Sequence, residues 1–254
     1  MFKFLSAIIL TACFASGCTS IEQVCRMEAA YAPGLHADAE MSDPAWKQTP
    51  EYRLQCYRNF QHLPEKTAAA IETGKHEVQV SAKLLYDDEN LYIGCRIEND
   101  DIRTLDQRDQ QRHYLTGDVF EIFLKPEKSN AYLELYATPS GNKSAFYFPS
   151  RAFGGTILID QQKLMPGIEV VAKVHGTLND SSDTDQYWTA VMTINRKAVE
   201  KKLGIPLAPG HAWNILLAGY SFSANRTFGV NFSCPLLPQL NYHLYEYYAP
   251  LNFR

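Results

Sequence analysis

The chain has 254 residues, of which 46% are hydrophobic and 20% are charged. This composition is typical of a globular protein and excludes a wholly disordered chain, and the length suits one large domain or two small ones. The formal net charge is −4 and no basic run is present. That charge argues against a sequence-independent nucleic-acid-binding protein, because such a protein needs a basic surface.

The first 18 residues have the pattern of an export signal. Lys3 precedes a mostly apolar run of 11 residues, Phe4 to Phe14, which is too short to span a bilayer. Residues 15–18 (Ala-Ser-Gly-Cys) resemble the lipobox of bacterial lipoproteins. The resemblance implies that residues 1–18 are a lipoprotein signal peptide, that Cys18 is lipidated, and that the protein is anchored at the outer membrane or cell surface. The alternative is an ordinary signal peptide in which Cys18 is incidental.

The cysteine count agrees with export to an oxidising compartment. After Cys18 the chain has four cysteines, Cys25, Cys56, Cys95 and Cys234. Four cysteines permit two disulfides and three connectivities. Cys25 and Cys56 flank the first strand region, so we predict that these two pair. Cys95 lies within an apolar strand pattern, where a buried thiol is the simpler interpretation.

A tether is predicted at residues 19–30, and residues 31–254 have the pattern of one domain built mostly of strands. Val80, Ala82 and Leu84 alternate with polar residues, which predicts a half-buried strand. A polar turn separates this strand from a second at 91–97, so the two form a predicted hairpin. Further strands are predicted at 118–125, 131–138, 143–148, 168–175, 187–194, 212–222 and 227–233.

One helix is predicted from Arg196 to Leu203. Asn195 is a suitable N-cap and Gly204 a suitable C-terminal stop. Many short strands with little helix predict an all-β fold, namely an antiparallel β-sandwich of jelly-roll or immunoglobulin-like type with one short helix.

Six sequence blocks resemble, in the same order, blocks of carbohydrate-binding module family 9. They are residues 34–46 (GLHADAEMSDPAW), 85–93 (LYDDENLYI), 116–124 (TGDVFEIFL), 132–142 (YLELYATPSGN), 188–204 (WTAVMTINRKAVEKKLG) and 241–248 (NYHLYEYY). The resemblance implies a β-sandwich that binds sugars, either attached to glycoside hydrolases or as a separate exported protein.

The resemblance also implies which residues bind the sugar. Glu121 matches the family's strand glutamate, which bonds sugar hydroxyls, and Tyr114 is the aromatic residue that precedes that strand. Tyr132, Glu134 and Tyr136 share one strand face and are predicted to line the same surface, with simple sheet packing as the alternative. A second stacking ring is expected near the C-terminus, and the candidates are Phe228 and Phe232.

Asp100 and Asp101 form a possible calcium site, since carboxylate oxygens are ligands that Ca²⁺ prefers. A solvated turn is the alternative interpretation of this acidic segment. His243 and Glu246 are interpreted as structural residues of a closing strand.

The function predicted from these features is an exported carbohydrate-binding protein, accessory to carbohydrate degradation and to glycoside hydrolases. Stacked aromatic rings and carboxylates would hold the saccharide. We predict no enzymatic activity, because GxSxG, HExxH and Walker motifs are missing from the sequence. The alternatives are a haem-b-binding electron-transfer sandwich and a structural surface lipoprotein without a ligand.

Overall fold

The computed structural model describes residues 26–57, 78–151, 160–222 and 229–254. Within them the chain forms twelve β-strands and one α-helix, α1. The elements are β1 (Met27–Tyr31), β2 (Glu51–Cys56), β3 (Val80–Tyr86), β4 (Asn90–Glu98), β5 (Val119–Pro126), β6 (Tyr132–Ala137), β7 (Lys143–Phe148), β8 (Ile168–His175), β9 (Tyr187–Asn195), α1 (Arg196–Leu203), β10 (Trp213–Ser221), β11 (Val230–Cys234) and β12 (Ala249–Phe253).

The strands form two antiparallel sheets that are continuous at one edge. The front sheet has the order β7-β6-β5-β10-β11, and the back sheet has the order β2-β3-β4-β9-β8. The sheets are joined because β11 pairs with β2. Strand β1 is parallel to both of its partners, β12 and β3. The predicted all-β sandwich with one short helix is confirmed.

The main core lies between the two sheets and is built by the alternation of each strand. Phe120, Ile122 and Leu124 of β5 are buried in the same apolar cluster as Leu91 and Ile93 of β4. A sheet that buries one face in this way must carry the other residues of each strand on its outer face. The outer faces of both sheets are therefore the surfaces on which a site can be built.

Most of the elements predicted from the sequence are present. The helix has the predicted bounds, with the Asn195 side chain accepting from the Ala198 N–H at 3.0 Å and Gly204 in the left-handed conformation at φ 75°. The predicted tether boundary at residue 30 falls inside β1. Strand β2 was not predicted because its residues show no apolar alternation, and β12 because it is short and contains Pro250.

Each outer face is covered in part by an irregular segment. Residues 236–248, which we call the C-terminal cover, pack Leu237, Tyr242 and Tyr248 on the front sheet. Residues 32–46 pack Trp46 on the back sheet. No helix among the described residues has both the length and the apolar content needed to cross a bilayer.

Candidate functional site

Two glutamates lie next to each other on the outer face of the front sheet. Glu121 of β5 alternates with the buried Val119 and Phe123, and is paired in register with Tyr136 of β6. Glu134 of β6 is paired with Phe123, one step further along the same face. Glu121 and Glu134 are therefore diagonal cross-strand neighbours, a spacing at which long side chains can meet.

Both carboxyl groups are buried and incompletely bonded. Glu121 is 2% exposed and Glu134 is 4% exposed. The Tyr136 hydroxyl donates to Glu134 Oε1. Glu121 Oε1 and Glu134 Oε2 have no hydrogen-bond partner among the described residues. Because buried carboxylates are almost always paired, these two oxygens are the most unusual polar atoms of the front face.

Burial sets the protonation of this pair. Burial raises the pKa of Glu134 to about 7. Burial, and then repulsion from Glu134, raise the pKa of Glu121 well above its ordinary value. At neutral pH the pair therefore holds a proton, and it can both donate and accept hydrogen bonds.

His243 of the C-terminal cover approaches the pair from the side. Its Nδ1 lies 2.6 Å from the Tyr132 hydroxyl and 4.0 Å from Glu134 Oε2. Burial lowers the pKa of His243 to about 4. The ring is therefore neutral at pH 7 and gives Glu134 no positive counter-charge.

Aromatic rings border the glutamates on two sides. Tyr114, in the turn before β5, packs edge-on against Tyr136 with ring centroids 6.2 Å apart and contacts Tyr220 of β10 at 5.9 Å. Tyr114 and Tyr220 are half-buried, so they are the rings of this group that reach solvent. The opposite side is closed by the rings that contact Phe123, namely Tyr132, Tyr242, His243 and Tyr248.

The C-terminal cover is fixed in place by hydrogen bonds. The Tyr242 hydroxyl lies 2.9 Å from the Gly219 carbonyl oxygen and 3.0 Å from that of Phe232. The Tyr248 hydroxyl donates to the Tyr242 carbonyl at 2.5 Å. The cover therefore closes the Phe123 side of the front face, and the rings on the other side of the glutamates, Tyr114 and Tyr220, are half-buried.

The structure brings together five of the seven predicted sugar-binding residues. They all belong to the front face: Tyr114, Glu121, Tyr132, Glu134 and Tyr136. Tyr132 stacks on Phe148 at 4.9 Å and is fully buried, so its ring is a packing element. Phe232 is 0% exposed and packs between the sheets, away from the front face, and Phe228 lies outside the described residues. Sugar contacts by the five remain a prediction.

Two residues of this site were not singled out from the sequence. His243 was assigned to a closing strand, which is wrong, because Tyr245–Tyr247 form a 3₁₀ helix and the last strand begins at Ala249. Nothing local indicates that His243 contacts a strand 111 residues earlier. Tyr220 could have been found by alternation, since it lies on the same face of β10 as Leu216 and Ala218.

The other predicted sites receive less support. Asp101 is 1% exposed and accepts from the Ser181 hydroxyl at 3.1 Å, while the Asp100 carbonyl accepts from the Asp185 N–H. Among the described residues no three His, Cys, Asp or Glu side chains converge as metal ligands. The described residues therefore give no support to a calcium site at Asp100 and Asp101.

Cys95 is a buried thiol, as predicted, whereas the lipidation and disulfide predictions remain untested. The Cys56 thiol, at the end of β2, donates to the Val78 carbonyl at 3.4 Å. Cys18 and Cys25 lie outside the described residues. Lipidation of Cys18 and the pairing of Cys25 with Cys56 therefore stay predictions.

The back sheet has a cleft of its own, with a volume of about 180 Å³. Both carboxylates of its lining are already paired. Lys83 lies 3.7 Å from Glu51, and Glu40 bonds both Lys173 and His175. The two carboxylates that line this cleft thus have partners, unlike the unbonded carboxyl oxygens among the described residues of the front face.

Solved structures share this fold, whereas no family model and no curated protein matches the sequence. A proposed carbohydrate-binding protein from Bacteroides uniformis has a TM-score of 0.63 at 11% identity, covering 91% of this chain and all of that one. A family 9 carbohydrate-binding module from Caldicellulosiruptor kristjanssonii matches in its glucose complex (TM-score 0.59, 13% identity, 91% and 96% coverage) and its cellotriose complex (0.55, 12%, 91% and 94%). The chain therefore has the fold of carbohydrate-binding module family 9.

Proposed function

We propose that this chain is a non-catalytic saccharide-binding protein whose site is the front face around Glu121 and Glu134. The observation that carries the proposal is the pair of buried carboxyl groups, each with one oxygen that no described residue bonds. A sugar offers hydroxyls that donate to such oxygens and apolar ring faces that stack on aromatic side chains. Tyr114 and Tyr220 provide the half-buried rings beside the pair.

The fold supports the same class of ligand. Structures with this sandwich include a module that binds glucose and cellotriose. Together with the signal-like N-terminus, this similarity favours an exported, lipid-anchored protein that acts beside glycoside hydrolases in carbohydrate degradation.

The placement of the two glutamates argues against hydrolysis. A glycosidase needs one carboxyl group on each side of the scissile bond. Glu121 and Glu134 are diagonal neighbours on adjacent strands and project from the same sheet face. A sugar on this face therefore lies over both carboxyl groups, and neither can attack it from the opposite side.

Titration calorimetry of the full chain against mono- and oligosaccharides tests the proposal. We expect saturable binding without sugar turnover. Glu121→Gln and Glu134→Gln should each weaken the binding about tenfold or more, since each replaces a carboxyl group that can donate or accept a hydrogen bond with an amide whose donor and acceptor are fixed. Glu51→Gln on the back sheet is the matched control and should leave the affinity unchanged.

A folded sample that binds no saccharide would contradict the proposal, and so would release of reducing sugar by the wild type but not by Glu121→Gln. A haem absorption band in the purified protein would favour the electron-transfer alternative.

A further inference from the structure

Among the residues that the structure describes, no positively charged side chain is paired with the two glutamates of the front face. Arg112, beside Tyr114, pairs with Asp160 at 3.0 Å. Lys125 donates to the carbonyls of Pro126 and Glu127 at 3.2 and 3.0 Å. Each cation on this part of the described chain therefore has a partner other than Glu121 or Glu134.

The remaining groups around the pair are uncharged near neutral pH. The titratable side chains that lie around it come from the turn before β5, from β6, from β10 and from the C-terminal cover: His113, Tyr114, Tyr132, Tyr136, Tyr220, Tyr242, His243 and Tyr248. Burial lowers the pKa of His113, which contacts the Tyr136 ring. Burial raises the pKa of Tyr136 and Tyr220 and lowers that of His243. The surroundings therefore oppose ionisation of the glutamates unless a cation arrives with the ligand.

The side chains at the pair suit an organic cation better than a metal ion. Ca²⁺ takes six to eight oxygen ligands and Mg²⁺ about six, whereas the described residues bring two carboxyl groups together here. Aromatic faces attract ammonium groups through their negative quadrupole, and Tyr114, Tyr136 and Tyr220 form a continuous set of rings at the pair.

We propose that the saccharide bound at Glu121 and Glu134 is an amino sugar with a free amine, in which the ammonium group bonds both carboxylates. This inference rests on the proposed saccharide-binding function and specifies its ligand. The sugar ring would pack beside Tyr114 and Tyr220, and its hydroxyls would reach the carboxyl oxygens that the ammonium leaves unbonded.

Binding of an ammonium group should release a proton from the protein, whereas binding of a neutral sugar should not. The cation favours the ionised form of both glutamates, so binding at pH 6.5 should release a proton from the pair. Calorimetry in two buffers of different ionisation enthalpy measures that release directly.

The test is calorimetry of the full chain at pH 6.5 with three matched oligosaccharides, namely a glucosamine oligomer, its N-acetylated counterpart and a glucose oligomer of the same length. We expect the free-amine oligomer to bind roughly 10- to 100-fold more tightly than either of the others, the range for a charge-assisted hydrogen bond. Tetramethylammonium, sodium and calcium chloride serve as cation-only probes.

Variants test whether the preference for the free-amine oligomer depends on the two glutamates. Glu121→Gln and Glu134→Gln keep the side-chain shape and remove the charge, so each should reduce the preference for the amine to within about twofold. Glu51→Gln is the control and should retain it. Circular dichroism of each variant shows that the fold is intact.

The outcomes separate the two proposals. Tighter binding of the free-amine oligomer that depends on both glutamates supports the inference. Equal or tighter binding of the neutral oligomers overturns the inference and leaves saccharide binding standing. Binding of the cation-only probes as tight as that of the amino sugar also overturns it. Silence from all three oligomers with a folded protein overturns both proposals.

Discussion

The outer faces of the two sheets differ in the burial and pairing of their charged side chains. On the back sheet the charged side chains are partly exposed and paired, as Lys83 is with Glu51 and Arg96 is with Glu98. On the front sheet Glu121 and Glu134 are buried and lack a cationic partner among the described residues. Exposed pairs contribute little to stability, whereas unpaired buried carboxyl groups reduce it. Among the described residues only the front face carries such a pair, and this difference is the basis of the proposed ligand site.

The two sheets also differ in what packs against a glycine of each sheet. Trp46 and Met41 pack over Gly94 on the back sheet, and a Cβ at Gly94 would lie 2.4 Å from the Met41 sulfur. Beneath the front face a Cβ at Gly219 would lie 2.3 Å from the Val119 carbonyl oxygen and 2.7 Å from the Phe232 ring. A side chain added at Gly219 would thus meet backbone atoms of the front sheet, whereas one added at Gly94 would first meet the flexible Met41 side chain.

The largest expected effect follows from these two glycines. Gly219→Ala should lower the free energy of unfolding by about 3 kcal/mol or more, because backbone atoms must move. Gly94→Ala should lower it by only about 1 kcal/mol, since the Met41 side chain can change rotamer. Urea denaturation of both variants measures the difference, and equal losses would contradict the contrast between the sheets.

The next effect is the pH dependence that Glu134 imposes. Its pKa is raised from an ordinary 4.5 to about 7 in the folded protein. Its contribution to stability is therefore fully present below pH 4.5 and is lost as the pH rises through 7, up to about 3 kcal/mol. Between pH 4.5 and 8 the free energy of unfolding of the wild type should therefore fall by about 3 kcal/mol relative to that of Glu134→Gln.

His243 also makes the stability of the protein depend on pH, so the effect of Glu134 must be measured as a difference between the wild type and Glu134→Gln. Its pKa is lowered from an ordinary 6.5 to about 4, so its contribution is present above pH 6.5 and is lost as the pH falls through 4. Between pH 4.5 and 6.5 the two groups act in opposite directions, and the wild-type curve alone is flattened. A difference between wild type and Glu134→Gln that does not change with pH would show that Glu134 is not buried as described.

Tyr114 gives a smaller effect that is confined to binding. Tyr114→Ala should weaken saccharide affinity roughly tenfold, since it removes a ring beside the glutamates, and Tyr114→Phe should stay within about twofold. Tyr187→Ala removes a ring that stacks on His175 on the back sheet and is the matched control. If Tyr187→Ala reduced the affinity as much as Tyr114→Ala does, the site would not be confined to the front face.

The smallest effect is expected at the paired charges of the back sheet. Glu51→Gln should change the free energy of unfolding by about 0.5 kcal/mol or less, because the Lys83–Glu51 pair is long at 3.7 Å and partly exposed. Thermal unfolding at low and high salt measures this. A loss above about 2 kcal/mol would mean that charged groups on the back sheet affect stability as strongly as those on the front sheet, which would contradict the contrast.

The fold was largely readable from the sequence because alternation and capping are local signals. Strands β7 and β8 and the helix have the predicted bounds, and the alternation of Val119, Glu121 and Phe123 placed Glu121 on one face. Strand β1 was missed because its partners, β12 and β3, are distant in sequence, and no local pattern reports such pairing.

The site was only partly readable for the same reason. Glu121 and Glu134 were found on the strands that carry them, but their lack of a counter-charge depends on Arg112 and Lys125 having other partners. The approach of His243 and the location of Phe232 between the sheets depend on the three-dimensional packing of the two sheets and the cover.

A crystal structure of the protein soaked with the tightest-binding saccharide tests the central claim most directly. The account predicts a sugar on the front face, with hydroxyl or amine groups within hydrogen-bond distance of Glu121 and Glu134 and a ring beside Tyr114 or Tyr220. A sugar bound in the cleft of the back sheet, with the two glutamates bonded only to water, would contradict it.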